Sequence, residues 1–291
     1  KYMKNENKPF FSVIVPVYHD WDRLQLCLNA LEKQNYPKEL FEIIVVNNDP
    51  KDKTPNSLSL PTNCQLVREE KPGSYAARNR GASLAKGDIL SFTDADCIPD
   101  ANWLNEIFKY YQQNEGILSG AVEMFSTLKN KNLNFAENYD YVFGINQVYY
   151  ALKKEAATAN LSITAKEFFI NDGFRVDMFS GGDVDFCQRA KRKNIKFAYL
   201  DKAIVKHPLR NNLKDLIIKG RRLAGGKVYK NKIKGLVLAT SPPIVRIKIL
   251  FFNSKAPLTT KLKCLLVIFI IKTHQFTEAC KVAFGAKNER L

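Results

Sequence analysis

Short apolar runs alternate with polar turns and amphipathic stretches along the first half of the chain. Phe10 to Tyr18 is a β-branched run closed by a polar turn, the pattern of a buried strand. Leu24, Cys27, Leu28 and Leu31 then share one helical face. Phe41 to Val46 predicts a second buried strand, ending in Asn47-Asn48-Asp49-Pro50, and Gln65 to Arg68 a third. Ser74 is placed to cap a helix through Ala76, Ala77, Ala82 and Ala85, with Gly87 as its stop. Asp88 to Thr93 predicts a fourth strand, ending in Asp94-Ala95-Asp96, and a helix follows around Trp103 to Tyr111.

This alternation predicts an α/β fold, with a mostly parallel central sheet and helices on both faces. In such sheets ligands bind beyond the carboxyl ends of the strands, where the Asn47 and Asp94 clusters lie. Beyond Gly120 the pattern changes. Leu133 to Leu152 is aromatic-rich and helical in pattern, Gly181 to Phe186 opens a helix through Arg192, and Lys196 to Val205 holds a strand ending in Lys206-His207-Pro208. From Asn211 on, basic helical stretches alternate with apolar ones, broken at Pro242-Pro243 and Pro257. The expected division is 9–120 and 121–210, two halves of one α/β domain, followed by a basic, partly amphipathic helical region over 211–291.

Charge sharpens that division. Ala190 to Leu291 carries 24 Lys and Arg against 4 Asp and Glu, a net of +20, whereas Lys1 to Arg189 carries 21 against 25, a net of −4. The acidic part is expected to hold the chemistry and the basic part to face an anionic partner. Apolar faces between the basic clusters point to an anionic membrane surface, and no nucleic-acid-binding motif accompanies them. Six cysteines without a CxxC pair argue against zinc and for free thiols in a reducing compartment. Lys1 to Lys8 lacks the apolar core of a signal peptide, and the longest purely apolar run, Cys264 to Ile271, is too short to span a bilayer. The expected location is cytoplasmic, peripheral on the inner face of the membrane.

Two carboxylates flanking one residue at a strand end, as in Asp94-Ala95-Asp96, suit Mg²⁺ or Mn²⁺ held against a diphosphate. An acidic turn capping the next helix is the plainer alternative. Asp183 and Asp185 follow paired glycines. Asp185 fits a helix-start role, while at Asp183 the glycines permit close approach of a ligand and the carboxylate is placed to accept a proton from a hydroxyl.

Several stretches together resemble the family 2 inverting glycosyltransferases of GT-A fold, over about Phe11 to Arg210. They are Val13 to Tyr18, Gly73 to Gly81, Phe92 to Asp96, Asn171 to Phe174, Gly181 to Phe186, and His207. The resemblance implies a nucleotide-sugar donor, UDP-linked in expectation, and a glycan or lipid-linked hydroxyl acceptor. It also implies Pro16, Tyr18, Asn48 and Arg78 lining the nucleoside pocket, and Asp94 near the ribose and diphosphate. Asp96 would bind the metal, with His207 joining it or the diphosphate; Asp183 would be the general base, and Asn160 and Gly182 would lie near the sugars. Two positions depart from the family pattern: Asn47-Asn48 stands where a pair of Asp is usual, and Gly182 where Glu is usual. A sugar nucleotidyltransferase would share the sheet and metal, but His19-Asp20-Trp21-Asp22 is unlike its phosphate loop. A glycoside hydrolase would instead use two carboxylates flanking the scissile bond, and a non-enzymatic basic membrane- or nucleic-acid-binding protein would need none of the acidic motifs.

Overall fold

The computed structural model describes residues 8–49, 51–128, 132–178, 180–253 and 257–286. In chain order, the first part contains β1 (Phe11–Val17), α1 (Trp21–Glu32), β2 (Phe41–Asn47), β3 (Cys64–Arg68), α2 (Ser74–Leu84), β4 (Ile89–Phe92), β5 (Ile98–Pro99) and α3 (Trp103–Tyr111). There follow β6 (Ile117–Phe125), α4 (Phe135–Phe143), α5 (Gln147–Leu152), β7 (Leu161–Thr164), α6 (Ala165–Ile170), α7 (Gly182–Arg192) and β8 (Phe197–Pro208). Four helices close the chain: α8 (Leu213–Lys230), α9 (Lys232–Thr240), α10 (Ile244–Lys248) and α11 (Leu258–Ala283).

The eight strands form one sheet in the order β3-β2-β1-β4-β7-β6-β8-β5. β1 pairs in parallel with β2 (Phe11 opposite Phe41) and with β4 (Phe11 opposite Ile89), and β2 pairs in parallel with β3. The mostly parallel arrangement expected from the sequence describes these four strands. Past β4 the character changes: β7 is antiparallel to both β4 and β6, and β5 is antiparallel to β8. Strands covered on both faces are mostly apolar rather than alternating, and β2 is buried at every position.

Helix α2 lies hard against this parallel half. Ala77 packs with Ile44 and Val46, and a Cβ on Gly81 would come 2.5 Å from Ile14 Cγ2. Its start departs from expectation. Ser74 is the first helical residue, and the cap is Gly73 at φ 120°, which makes no side-chain hydrogen bond. The helix ends at Leu84, short of Gly87. Gly87 has another use: its N–H donates to Ser12 Oγ at 2.8 Å, and Ser12 Oγ donates to Glu42 Oε1 at 2.7 Å. A Cβ at Gly87 would lie 2.4 Å from the Ser12 backbone nitrogen.

The chain divides into two compact units. One takes its residues from Lys1–Glu123, Asn146–Val176 and Gly182–His207, and the other from Met124–Ile145, Asp177–Gly181 and Pro208–Leu291. The aromatic-rich stretch read from the sequence as one helical region is two helices, α4 and α5, and α4 belongs with the C-terminal helices. In that second unit Ala136 and Tyr139 of α4 join Leu216, Leu250, Cys264, Val267, Ile268 and Ile271 in one core cluster. Asp140, buried, takes Arg210 at 3.2 Å and Lys219 at 3.1 Å. One carboxylate thus serves two cations. Burial opposes its charge, but Lys219 and Arg210 outweigh it and hold the carboxyl below its ordinary range. The enclosed Lys219 falls to about 8 through burial and the nearby Arg210.

The two glycine contacts differ in kind, and so should their substitutions. At Gly81 the obstacle is the tip of Ile14, which can turn; at Gly87 it is backbone. In urea unfolding, Gly87→Ala should cost about 2–3 kcal/mol and Gly81→Ala roughly 1 kcal/mol. Equal and negligible losses would contradict the packing described.

Candidate active site

The acidic turn is shaped by backbone and by β-pairing. After β4, Thr93 Oγ1 donates to Ala159 O at 3.0 Å and Cys97 N donates to Asp94 O at 3.0 Å, closing the turn. β5 then runs antiparallel to the end of β8, with Ile98 opposite Lys206 and Pro99 opposite Val205. Continuing that register sets Cys97 opposite His207. Two segments more than a hundred residues apart thereby bring Asp94, Asp96, Cys97 and His207 together, with ligand atoms all within 4.8 Å of one another. His207 Nε2 is 3.6 Å from Asp96 Oδ2.

Two half-buried carboxylates and one buried imidazole suit a hard divalent cation such as Mg²⁺ or Mn²⁺, with coordination positions left for water and phosphate oxygens. Cys97 is a neighbour of another kind. Burial, reinforced by Asp96 and Asp94, pushes its thiol well above the ordinary range, and a soft sulfur suits a hard cation less well than the carboxylates do.

Helix α2 supplies the connection from this cluster to the second acidic motif. Arg78, with only 4% of its side chain exposed, pairs through Nη2 with Asp94 Oδ1. Its Nε is buried and makes no hydrogen bond among the described residues. Three residues earlier on the same face, Tyr75 lies with its ring centroid 5.7 Å from the Arg78 guanidinium. The Tyr75 hydroxyl accepts from Gly182 N at 2.9 Å and donates to Asp183 Oδ1 at 3.3 Å. Asp94, Arg78, Tyr75 and Asp183 are therefore in unbroken contact, all within the first unit.

Asp183 opens α7. Its Oδ1 also accepts from Val184 N at 2.9 Å, while Oδ2 takes no hydrogen bond among the described residues. Burial raises its pKa, and the hydrogen bonds from Val184 and Tyr75 and the charge of Arg78 offset this only in part. Asp185, two residues on, is engaged elsewhere: Arg189 Nε donates to its Oδ2 at 2.9 Å. The same guanidinium reaches the carbonyls of Asn171 and Gly173, clamping a turn in which Asp172 and Gly173 have φ of 61° and 56°. Asn79 holds the next residue, accepting from Phe174 N at 2.9 Å. The motifs at Asn79, Asn171 to Phe174 and Asp185 are thus the frame that presents Asp183.

Three residues expected at the site have other duties or set limits on it. Asn48 was expected to face the nucleobase. It is buried, donates from Nδ2 to Glu69 O and Lys71 O, and accepts from Gly73 N, so its amide pins the loop leading into α2 and has no donor free for a base. Asn160 was expected near the sugars. It donates to Ala121 O and Ala203 O and accepts from Trp103 Nε1, tying β6, β8 and α3 together with no free donor. Gly182 has no side chain to offer, and a Cβ there would meet Tyr75 Cε2 at 2.6 Å. The glycine that stands where the family has Glu is what leaves room for the tyrosine ring. Pro16 and Tyr18 lie at the carboxyl end of β1, Tyr18 with 42% of its surface exposed. His19, given no role from the sequence, links the loops after β1 and β2 through Asp49 at 3.0 Å and Asp52 at 3.3 Å.

Comparison with known proteins identifies the family and the fold. The model of glycosyl transferase family 2 matches residues 12–179, more than half of the chain. The glycosyltransferase AglE of Haloferax volcanii is 32% identical over 228 residues, covering 76% of this chain and 73% of AglE. Two solved structures share the fold. One is the mannosyltransferase PcManGT from Pyrobaculum calidifontis in complex with GDP-Man and Mn²⁺ (TM-score 0.58, 16% identity, 96% of this chain and 88% of that one). The other is S. aureus TarS 1–349 in complex with UDP-GlcNAc (TM-score 0.52, 18% identity, 94% and 90%). The chain is a glycosyltransferase of GT-A-type fold, and it belongs to glycosyl transferase family 2.

The fit of Tyr75 against Gly182 can be tested through stability alone. Gly182→Ala should destabilise the protein by about 1–3 kcal/mol through overpacking, and Tyr75→Ala in the same chain should remove most of that increment. A double-mutant cycle on denaturant midpoints measures the coupling; additive losses would show that the ring does not exclude a side chain at 182.

Proposed function

We propose that the chain transfers a sugar from a nucleoside-diphosphate donor to a hydroxyl acceptor with inversion at the anomeric carbon, using Asp183 as the base and a Mg²⁺ or Mn²⁺ site at Asp94, Asp96 and His207. The observation that carries this is the contact chain from Asp94 through Arg78 and Tyr75 to Asp183, which joins a cation-binding cluster to a carboxylate of raised pKa. The UDP-linked donor expected from the sequence loses the support of Asn48. PcManGT and TarS are complexes with GDP- and UDP-linked sugars respectively, so the proposal is for a nucleoside-diphosphate sugar of either kind. The acceptor is a hydroxyl on a glycan or a lipid-linked sugar.

A bound divalent cation supplies positive charge against the leaving diphosphate. Arg78 adds a second, fixed charge beside Asp94. Tyr75 and the Val184 N–H fix the Asp183 carboxylate through Oδ1, leaving Oδ2 for the acceptor. As the acceptor oxygen bonds to the anomeric carbon, its proton passes to Asp183, and the electron pair of the breaking carbon–oxygen bond leaves with the nucleoside diphosphate. Desolvation of Asp183 suits this work because a base of raised pKa is a better proton acceptor near neutrality.

Asp183→Asn should lower turnover by about 10²–10⁴-fold, measured as nucleotide release from a panel of nucleotide sugars, with donor affinity nearly unchanged. Wild-type turnover in this variant would remove Asp183 from the reaction. The raised pKa sets two signs. The folded state holds the Asp183 proton more tightly than the unfolded chain, so the ionised carboxylate opposes folding at neutral pH and that opposition disappears as pH falls through the folded pKa. Asp183→Asn should therefore be at least as stable as the parent at pH 7. The acid limb of kcat should lie above the ordinary aspartate range, and Tyr75→Phe should move it higher, because the Tyr75 hydrogen bond favours the ionised form. An acid limb unmoved by Tyr75→Phe would dissociate the two residues.

Metal removal gives a separate check. In calorimetric titration with GDP and with UDP, donor-nucleotide binding should weaken strongly when EDTA is present and return with added Mn²⁺. Equal affinity in both conditions would remove the cation from the site.

A further inference from the structure

The second unit shows an apolar face of its own, on the last helix. Along α11, Leu258, Leu262, Leu266, Phe269 and Phe276 are exposed by 65%, 53%, 63%, 50% and 44%. At 100° per residue all five fall within about 80° of one another, a stripe about 27 Å long at 1.5 Å per residue. The opposite side of the helix is the one that packs: Cys264, Val267, Ile268 and Ile271 enter the core of the unit. Helix α11 is therefore apolar on two faces, and only one of them has a partner among the described residues. Single exposed leucines are ordinary on a protein surface, but an aligned row of five on one helix is not.

Charge decides what that row meets. Residues 211–291 hold 17 Lys and Arg against 3 Asp and Glu, a net of +14. Of those acids Glu278 is buried against Arg221 at 3.0 Å, and in the same unit Asp140 of α4 is buried against Arg210 and Lys219. The cations lie outward, with Lys214, Lys232, Lys234, Lys248, Lys263 and Lys281 all exposed. Lys263 and Lys281 share one flank of the stripe, since 18 residues make five whole turns. On the other flank, Lys261 and Lys272 reach neighbouring segments, donating to Phe251 O at 3.1 Å and Leu238 O at 2.6 Å. A second copy of the chain would bring a like-charged surface to this face and be repelled. A surface that is anionic outside and apolar beneath complements both features.

We propose that the Leu258–Phe276 face of α11 inserts into the interfacial layer of an anionic lipid bilayer, with the exposed Lys263 and Lys281 on its flank against the headgroups. The helix lies in the plane of the interface, its apolar side chains at the acyl boundary. No single helix among the described residues is long and apolar enough to cross a membrane. The bent pair Lys232–Thr240 and Ile244–Phe252, at 47°, has the length and composition of a broken span only when its two arms are taken together. The docking of α11 stands apart from the reaction proposed above and does not depend on it.

The test is flotation of the full chain with vesicles of phosphatidylcholine alone and of phosphatidylcholine with phosphatidylglycerol. The wild type should float with the anionic vesicles and be released by high salt. The variant Leu262→Ser, Leu266→Ser, Phe269→Ser replaces only exposed side chains. It should keep its circular dichroism and melting temperature while losing at least about tenfold in vesicle affinity. Negligible flotation of the wild type on both vesicle types overturns the proposal. So does undiminished binding of the folded triple variant, which would move the contact to the bent pair, and so does wild-type dimerisation that the triple variant abolishes.

Discussion

One face of α2 holds the site together. Tyr75 and Arg78 are three residues apart, so the helix repeat places them side by side, and each reaches a different carboxylate: Arg78 to Asp94 beyond β4, Tyr75 to Asp183 at the head of α7. Neither partner is near α2 in the chain. What fixes their positions is the depth at which α2 sits on the parallel strands, and that is set by Ala77 and Gly81 against Ile14 and Val46. Removing one member of a buried ion pair leaves an uncompensated charge, costing about 3–5 kcal/mol in enclosed cases. Arg78 is almost fully enclosed and its partner only partly so, which makes the arginine the less replaceable of the two.

The same logic accounts for the energetic character of the site. Asp183 is left desolvated, with one oxygen tied down and the other without a hydrogen bond among the described residues; Arg78 keeps a buried donor with no partner among those residues; two aspartates and a histidine converge, with Arg23, 3.9 Å from Asp96, and Arg78 as nearby countercharges. Each of these is unfavourable in isolation. They are tolerated because the frame beneath is densely hydrogen-bonded: Asn48, Asn79, Asn160 and Arg189 each bind backbone groups from elements distant in sequence. Amide and guanidinium groups suit that work, since each joins several backbone groups at once. The resemblance to a sugar-transferring family implied Asn48 and Asn160 as ligand contacts, whereas in the folded chain their amides are ties between backbone segments.

The parallel half of the fold was legible because its signal is local. Continuous burial makes β1, β2 and β4 apolar runs, and their carboxyl ends carry the polar clusters. The junction of Asp96 with His207 was legible only through resemblance, because the β5–β8 pairing that creates it is two residues long on one side and has no pattern in the sequence. Tyr75 was visible inside a recognised motif but passed as a helix residue; its tie to Asp183 crosses 108 positions. The signal that points to it is the departure at Gly182. A missing side chain at a motif position asks what fills the space, and the answer is an aromatic ring from another element. The cap of α2 was misplaced by one residue for a related reason: Ser74 has the chemistry of a cap, but Gly73, at φ 120°, has the conformation the turn requires.

The C-terminal helices show where average hydropathy stops being informative. The run Cys264 to Ile271 is uniformly apolar in sequence, which fits a core helix as well as a surface one. In the folded chain it divides by angle: Cys264, Val267, Ile268 and Ile271 turn inward, and Leu266 and Phe269 turn out. A helix needing only a core would carry polar residues on its outer side, as α7 does with its charged last turn. Retaining leucine and phenylalanine there costs solubility, and the surrounding lysines offset that cost in water without removing the reason for it. Because the inward face already satisfies the packing of the unit, the outward row is left for the bilayer contact proposed above. The exclusion of acids from the exposed surface of that helix bears on the same external contact, since neither folding nor solubility requires it.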